Sequence, residues 1–327
     1  MEKKQTLYSH SSLLAWTIST LMLIVLITVI VMNLGEAKRF VELARQAKPL
    51  WLIVGILMQV GTYVCAGAIW REVTLSQQHH LRLHTLARLS IEQQSMNQLV
   101  PTGGMAGTLL VIRALRRRGV PETLAMEALL VDTLSHYAAF AAVSFLSLFA
   151  LWSSHKANSF VLTVAIILSI ILAIIPLGIW WLLKNRNWNP PSWLKSNAMI
   201  SQLLKAIAEV SPKRVLFPPL LFKTIAFRLA VFLLDSATLW AMMKALGTSI
   251  SPLTAFIALV TASITSVVSI LPGGVGGFEA GCTATLTLLG IPVEAALTGT
   301  LMLRGLSLWL PLIPGWFLAR QEIAHHT

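Results

Sequence analysis

Six charged residues stand in or at the edge of long apolar runs: Arg113, Asp132, Arg228, Asp235, Glu279 and Arg304. A charged side chain at the centre of a membrane-type helix costs about 2.5–3.5 kcal/mol on insertion scales, so each needs a reason. Their types point to anion chemistry. The planar guanidinium fork matches phosphate, so Arg113, Arg228 and Arg304 are read as phosphate-binding groups. Asp132, Asp235 and Glu279 then balance charge or accept from an amine. Arg228 and Asp235 lie at i, i+7 and share a helix face. Glu279 follows a glycine turn at the start of a half-helix, where a carboxylate complements the positive helix end; a cap and a ligand-binding group are both open readings. Asp132 and Arg304 are expected at similar depth, either as an interhelical ion pair or as two walls of one polar cavity.

Catalytic groupings are missing from the sequence. It has no Ser-His-Asp set, no H-E-x-x-H and no P-loop, so no catalytic residue and no enzyme activity are expected. His79, His80 and His84 have no carboxylate or cysteine grouped with them and read as a solvated loop; neither a metal nor a cofactor is expected. His136, one turn after Asp132, reads as a packing residue, with proton relay as the alternative. Cys65 and Cys282 read as small packing residues with no metal-site spacing.

The elements that must position these charges follow from composition. The chain has 327 residues, 56% hydrophobic and 12% charged, with mean hydropathy +0.74. Soluble domains carry about 25% charged residues. This balance excludes a water-soluble globule and a disordered chain, and apolar runs near helix-span length that do not alternate exclude a β-barrel. The net charge of +12 reads as the positive-inside rule and attraction to anionic headgroups, with no nucleic-acid partner. Lys3 and Lys4 precede an apolar run too long for a signal-peptide core, so residues 13–32 read as a retained first helix.

Further apolar spans cover 50–69, 122–151, 159–183, 216–243 and 294–319, with a polar linker at 184–214. Two stretches are interrupted. One, 84–118, breaks at Pro101-Thr102-Gly103-Gly104; the other, 253–289, breaks at Pro272-Gly273-Gly274-Val275-Gly276. Each half is too short to cross a core about 30 Å thick, and Pro with paired Gly stops a helix. Each stretch therefore reads as a re-entrant helical hairpin. Gly103/Gly107 and Gly273/Gly277 also have the spacing for close helix packing.

The two breaks belong to an internal repeat. Gly119-Val120-Pro121 matches Gly290-Ile291-Pro292 at nearly the same distance from the glycines; matching Glu122 to Glu294 with one insertion puts Asp132 opposite Arg304. Placing both termini in the cytoplasm puts Arg71, Arg82, Arg116, Arg117, Arg118, Lys213 and Arg214 inside, and leaves Lys38, Arg39, Arg45, Lys48, Lys156 and Lys244 outside. The expected fold is an all-α polytopic membrane protein. It has about six transmembrane helices plus two oppositely oriented re-entrant helical hairpins in an inverted repeat. The chain reads as a single integral-membrane domain, 1–327, with repeat 1 at about 50–151 and repeat 2 at about 216–319. Transporters are often built this way, with the site near the midplane where interrupted helices meet.

The motifs also carry a family resemblance. Asn97-x-x-x-Pro101-x-Gly103-Gly104, Arg113 and Gly119, then Ser269-x-x-Pro272-Gly273-Gly274-x-Gly276-x-x-Glu279, then Arg304 and Pro311 resemble the lysylphosphatidylglycerol synthase transmembrane-region family over about residues 10–320. The resemblance implies a flippase-like membrane protein of the bacterial inner membrane. It would move a phospholipid or lipid-linked substrate between leaflets, with the headgroup handled between the hairpins. Thr133 departs from the basic residue expected beside Asp132. The chain reads as a stand-alone member without the soluble synthase domain. An intramembrane lipid-modifying enzyme and a non-catalytic partner of a lipid synthase are the alternative readings, and the Gly/Ala-rich faces are compatible with a homodimer.

Overall fold

A computed structural model describes residues 45–99, 105–153, 170, 174, 176–185, 210–267, 274–312 and 314–315. The first expected span (13–32), most of the span at 159–183, and Pro101, Gly103, Gly104, Pro272 and Gly273 lie outside these residues. The chain divides into two compact units, Met1–Gln46 and Ala47–Thr327; every element below belongs to the second.

Among the described residues all regular structure is helical. The helices are α1 (Pro49–Leu75), α2 (Leu83–Leu99), α3 (Met105–Arg117), α4 (Glu122–Ser153), α5 (Pro212–Val215), α6 (Pro218–Ala245), α7 (Pro252–Val267), α8 (Gly277–Leu288) and α9 (Val293–Arg304). A π-helical segment, Gly305–Trp309, continues α9. Among the described residues three helices, α1, α4 and α6, are long and apolar enough to cross a membrane. Leu50, Leu57, Phe145, Trp152 and Phe222 stay exposed on them, as expected of side chains that face lipid.

Proline and glycine punctuate these helices. Pro49, Pro218 and Pro252 each open one, where the missing N–H has no intrahelical partner to lose. Gly119, Gly247 and Gly290 close α3, α6 and α8 with positive φ. At Gly119 the N–H reaches Arg116 O at 3.0 Å and the next N–H, of Val120, reaches Leu115 O at 3.1 Å; Gly290 and Ile291 repeat the pattern on Thr287 and Leu286 at 3.0 and 3.1 Å. Both are Schellman caps. After each comes one proline and a restarted helix, with Ala125 N–H on Pro121 O and Ala296 N–H on Pro292 O. This corrects the register read from sequence. α4 and α9 both begin on the residue after their proline, with no room for an insertion in a continuous turn, so Thr133, and not Asp132, matches Arg304.

α1 and α6 form an antiparallel pair at the centre. Lys48 N–H donates to Ala245 O at 2.9 Å at one end, and Lys223 meets Glu72 at 3.3 Å at the other. The largest apolar clusters sit at opposite ends of this pair. One gathers Trp70, Leu86, Leu115 and Leu129; the other gathers Met242, Met243, Cys282 and Leu303. α4 runs alongside α6, with Ser135 on Thr224 at 2.7 Å and Phe140 stacked on Phe232 at 5.5 Å. The π segment runs alongside α1, where Tyr63 donates to Ser307 O at 3.3 Å. α2 packs on α3 and α7 on α8; α1 also contacts α2 and α4, while α6 contacts α7 and α9. Exchanging α1–α4 for α6–α9 with its π segment therefore returns the same set of neighbours.

Candidate functional site

Between the two apolar ends, the helices line a half-open cavity of about 470 Å³. α1 supplies Gln59, Thr62, Tyr63 and Ala66 to its wall, and α6 supplies Arg228, Val231, Phe232 and Asp235. Those two sets match position for position at one constant offset. α4 supplies Asp132, Thr133, His136 and Tyr137, and α9 with the π segment supplies Leu303, Arg304, Ser307 and Leu308, again at one offset. The i, i+3, i+4, i+7 spacing on α1 and α6 is one helix face turned inward.

The charged positions are deep. Asp132, Arg228 and Arg304 lie ten or eleven residues into α4, α6 and α9, which is about 15 Å along the axis, half the thickness of a hydrocarbon core. Asp132 and Arg304 are 6% and 8% exposed. Asp132 and Arg304 are two walls of one cavity, one of the two readings open from sequence, and each has its ion-pair partner elsewhere. Asp132 accepts from Arg228, through Nε at 2.8 Å and through Nη2. Arg304 donates its Nε to Glu279 Oε1 at 2.6 Å, and its guanidinium stands over the Phe278 ring at 4.6 Å. Arg228 reaches Asp132 because α4 and α6 run side by side. Arg304 reaches Glu279 because α8 and α9 fold back on each other.

Glu279 takes the capping role that the sequence left open for it, beside its bond to Arg304. Its second oxygen accepts the Gly276 N–H at 2.6 Å, capping α8 from the third helical position. Gly276 holds φ 84°, a conformation glycine adopts without strain. Gly274, also in this turn, has φ 68°. The N-terminus of α8 therefore lies at the depth of Arg304, and its C-terminus returns to the level where α9 starts. Thr265 donates to Gly277 O at 2.8 Å, holding α7 against the same turn. Between α2 and α3, Asn97 Oδ1 takes the Gly107 N–H at 3.0 Å, so a polar side chain again holds the first turn of a helix.

Of the six expected site residues, Asp132, Arg228, Asp235 and Arg304 meet in the cavity, and Glu279 closes one wall of it through Arg304. Arg113 does not. It is exposed on α3 and absent from the cavity lining. His136 lines the cavity while stacked on Phe232 at 5.7 Å. His80 and His84 are exposed. Among the described residues no group of His, Cys, Asp and Glu has metal-site geometry. Asn97, the first residue of the motif before Pro101, completes the polar wall with Gln59, Tyr63, Gln93 and Gln94, which were not singled out from sequence. The available signal was faint: neutral polar residues at helical spacing inside or beside an apolar run. Another unforeseen element is Glu127, buried where Arg214 meets it at 3.3 Å and Ser211 N–H donates to it at 3.3 Å, pinning α5 to α4.

The family model described as "Lysylphosphatidylglycerol synthase TM region" matches residues 12–315. The chain belongs to this family. Comparison with curated proteins gives no match. The matched residues contain every cavity-lining position, so the polar cavity lies within the region that defines this family of membrane proteins.

Proposed function

We propose that the protein moves a phospholipid, or a lipid-linked headgroup, between the leaflets of its membrane. The observation that carries this reading is the polar, charge-lined cavity at mid-depth among helices whose outer faces are apolar. A headgroup crossing a bilayer must leave water. Paired charges already held inside the core supply counter-groups without a fresh desolvation cost. The family is a second support, since its description ties the membrane region to a phospholipid synthase.

In this reading α2–α3 and α7–α8 are re-entrant hairpins of opposite orientation, and α1–α4 and α6–α9 are the halves of an inverted repeat. The matched cavity positions, the twin Schellman–proline turns and the antiparallel α1–α6 pair support it. The basic ends near Arg71, Arg116 and Arg214 would face the cytoplasm of a bacterial inner membrane, with about six spans and both chain termini on that side. Arg304 and Arg228 would exchange their carboxylate partners for the headgroup phosphate, while Asp132, Asp235 and Glu279 balance charge or take an amine. No nucleotide-binding motif occurs in the sequence, so transport would run on an ion gradient or equilibrate the leaflets.

The test is translocation of headgroup-labelled anionic, zwitterionic and aminoacylated phospholipids in proteoliposomes, beside a folded Arg304→Ala variant. Movement of one class by the natural chain and not by the variant is the expected result. Failure of all classes to move, with and without a proton gradient, overturns lipid translocation.

A further inference from the structure

We infer that the cavity contains a binding site for one monovalent cation, between Asp235 and Gln59. The antiparallel register that sets Lys48 against Ala245 and Glu72 against Lys223 also sets Gln59 on α1 against Asp235 on α6, and both line the cavity. Each presents a buried oxygen, Asp235 Oδ1 and Gln59 Oε1, that has no donor among the described residues.

The orientation of the Gln59 amide follows from its neighbour. Thr62 gives its hydroxyl proton to Gln59 O at 2.7 Å, so Thr62 Oγ1 is left as an acceptor. It takes Gln59 Nε2 at 3.1 Å. One of the two amide N–H groups is thereby engaged on Thr62, and the amide oxygen is left without a donor. Tyr63 likewise gives its proton to Ser307 O. This wall of the cavity is rich in acceptors and short of donors, and a buried acceptor left without a partner costs about 1–3 kcal/mol.

Charge balance points the same way. Asp132 is matched by Arg228, and Glu279 by Arg304. Asp235 has no ion-pair partner among the described residues, so the carboxylates outnumber the guanidinium groups by one. A proton on Asp235 or a single bound cation restores neutrality, and hard oxygen ligands favour an alkali-metal ion or a primary ammonium over a soft metal. The site is a property of the cavity and does not depend on lipid being the cargo.

The test uses the purified full chain in detergent, at fixed pH and ionic strength and without added lipid. Thermal unfolding is followed against sodium chloride, with choline chloride as the bulky control and ethylammonium chloride as the probe for an amine. Saturable stabilisation by sodium or ethylammonium, and none by choline, is expected. Sodium alone identifies a coupling-type ion, and ethylammonium alone identifies a headgroup-type amine. Asp235→Asn should abolish the shift; Gln59→Met should raise the half-saturating concentration by about tenfold, the worth of one hydrogen bond to a charge. If Asp235→Asn does not fold, Gln59→Met decides. Equal stabilisation by choline, no cation dependence of the natural chain, or a shift unchanged in the folded variants overturns the site. Since no lipid moves in this assay, its failure is separate from failure of the translocation reading.

Discussion

Glu279 holds Arg304 at 2.6 Å with one carboxylate oxygen and the N–H of Gly276 at 2.6 Å with the other. One side chain thus joins a helix cap to a mid-depth ion pair, and the glycine turn cannot shift without disturbing the charge on α9.

That linkage predicts an asymmetry between substitutions. Arg304→Ala leaves the partly buried Glu279 carboxylate with only its cap bond, and should destabilise the chain by about 1–3 kcal/mol. Adding Glu279→Gln should recover part of the loss, giving a positive coupling in a double-mutant cycle of thermal unfolding in detergent. Additive losses would mean that the pair is not energetically coupled.

Arg304→Lys should fail to replace arginine. The bond to Glu279 comes from Nε, and the guanidinium plane lies over Phe278; an ammonium lacks that fork geometry. Translocation by Arg304→Lys should stay at least about tenfold below the natural chain, the effect of one charge-assisted hydrogen bond. Full activity in the proteoliposome assay would show that only the positive charge is needed.

Gly281 lets α8 lie directly on α7. A Cβ there would fall 3.0 Å from Thr265 Cβ and 3.1 Å from its Cγ2, and closer still to its hydroxyl. Gly281→Ala should therefore lower stability by about 1–3 kcal/mol through overpacking. Trimming the neighbour with Thr265→Ala should restore part of it, although the bond to Gly277 O is lost. Equal melting temperatures for Gly281→Ala and the natural chain would remove the close contact.

Gly119 and Gly290 test the backbone alone. Both have positive φ, 80° and 97°, and a Cβ at either meets nothing within 4 Å. Alanine at each should cost about 1 kcal/mol from left-handed strain, and the two losses should be similar because the caps are built alike. Thermal unfolding of the two single variants, compared with each other, checks this; a loss at one site only would break the equivalence of the turns.

Much of the fold was legible because its signals are local. Proline opens a helix and glycine closes one through their own φ preferences. The ends of α3 and α8, before Gly119 and Gly290, therefore followed from where Gly stands. The depth of Asp132, Arg228 and Arg304 followed from counting residues at 1.5 Å each. The inward face of α1 was harder to see. Gln59, Thr62 and Tyr63 carry no formal charge, and their spacing is diluted in a run that is apolar on every other side.

By itself the sequence determined that this chain belongs in a membrane, and where several of its helices start or stop, because each depends only on a residue and its near neighbours. Only the tertiary structure decided which charges meet. Arg228 found Asp132 because α4 lies alongside α6. Arg304 found Glu279 because the start of α8 comes to its depth. Arg113 was left outside because α3 turns it away from the cavity. Asp235 emerged as the carboxylate left over once both arginines were engaged. The Arg228–Asp132 partnership joins residues 96 positions apart, and it depends on how helices pack, which no local spacing contains.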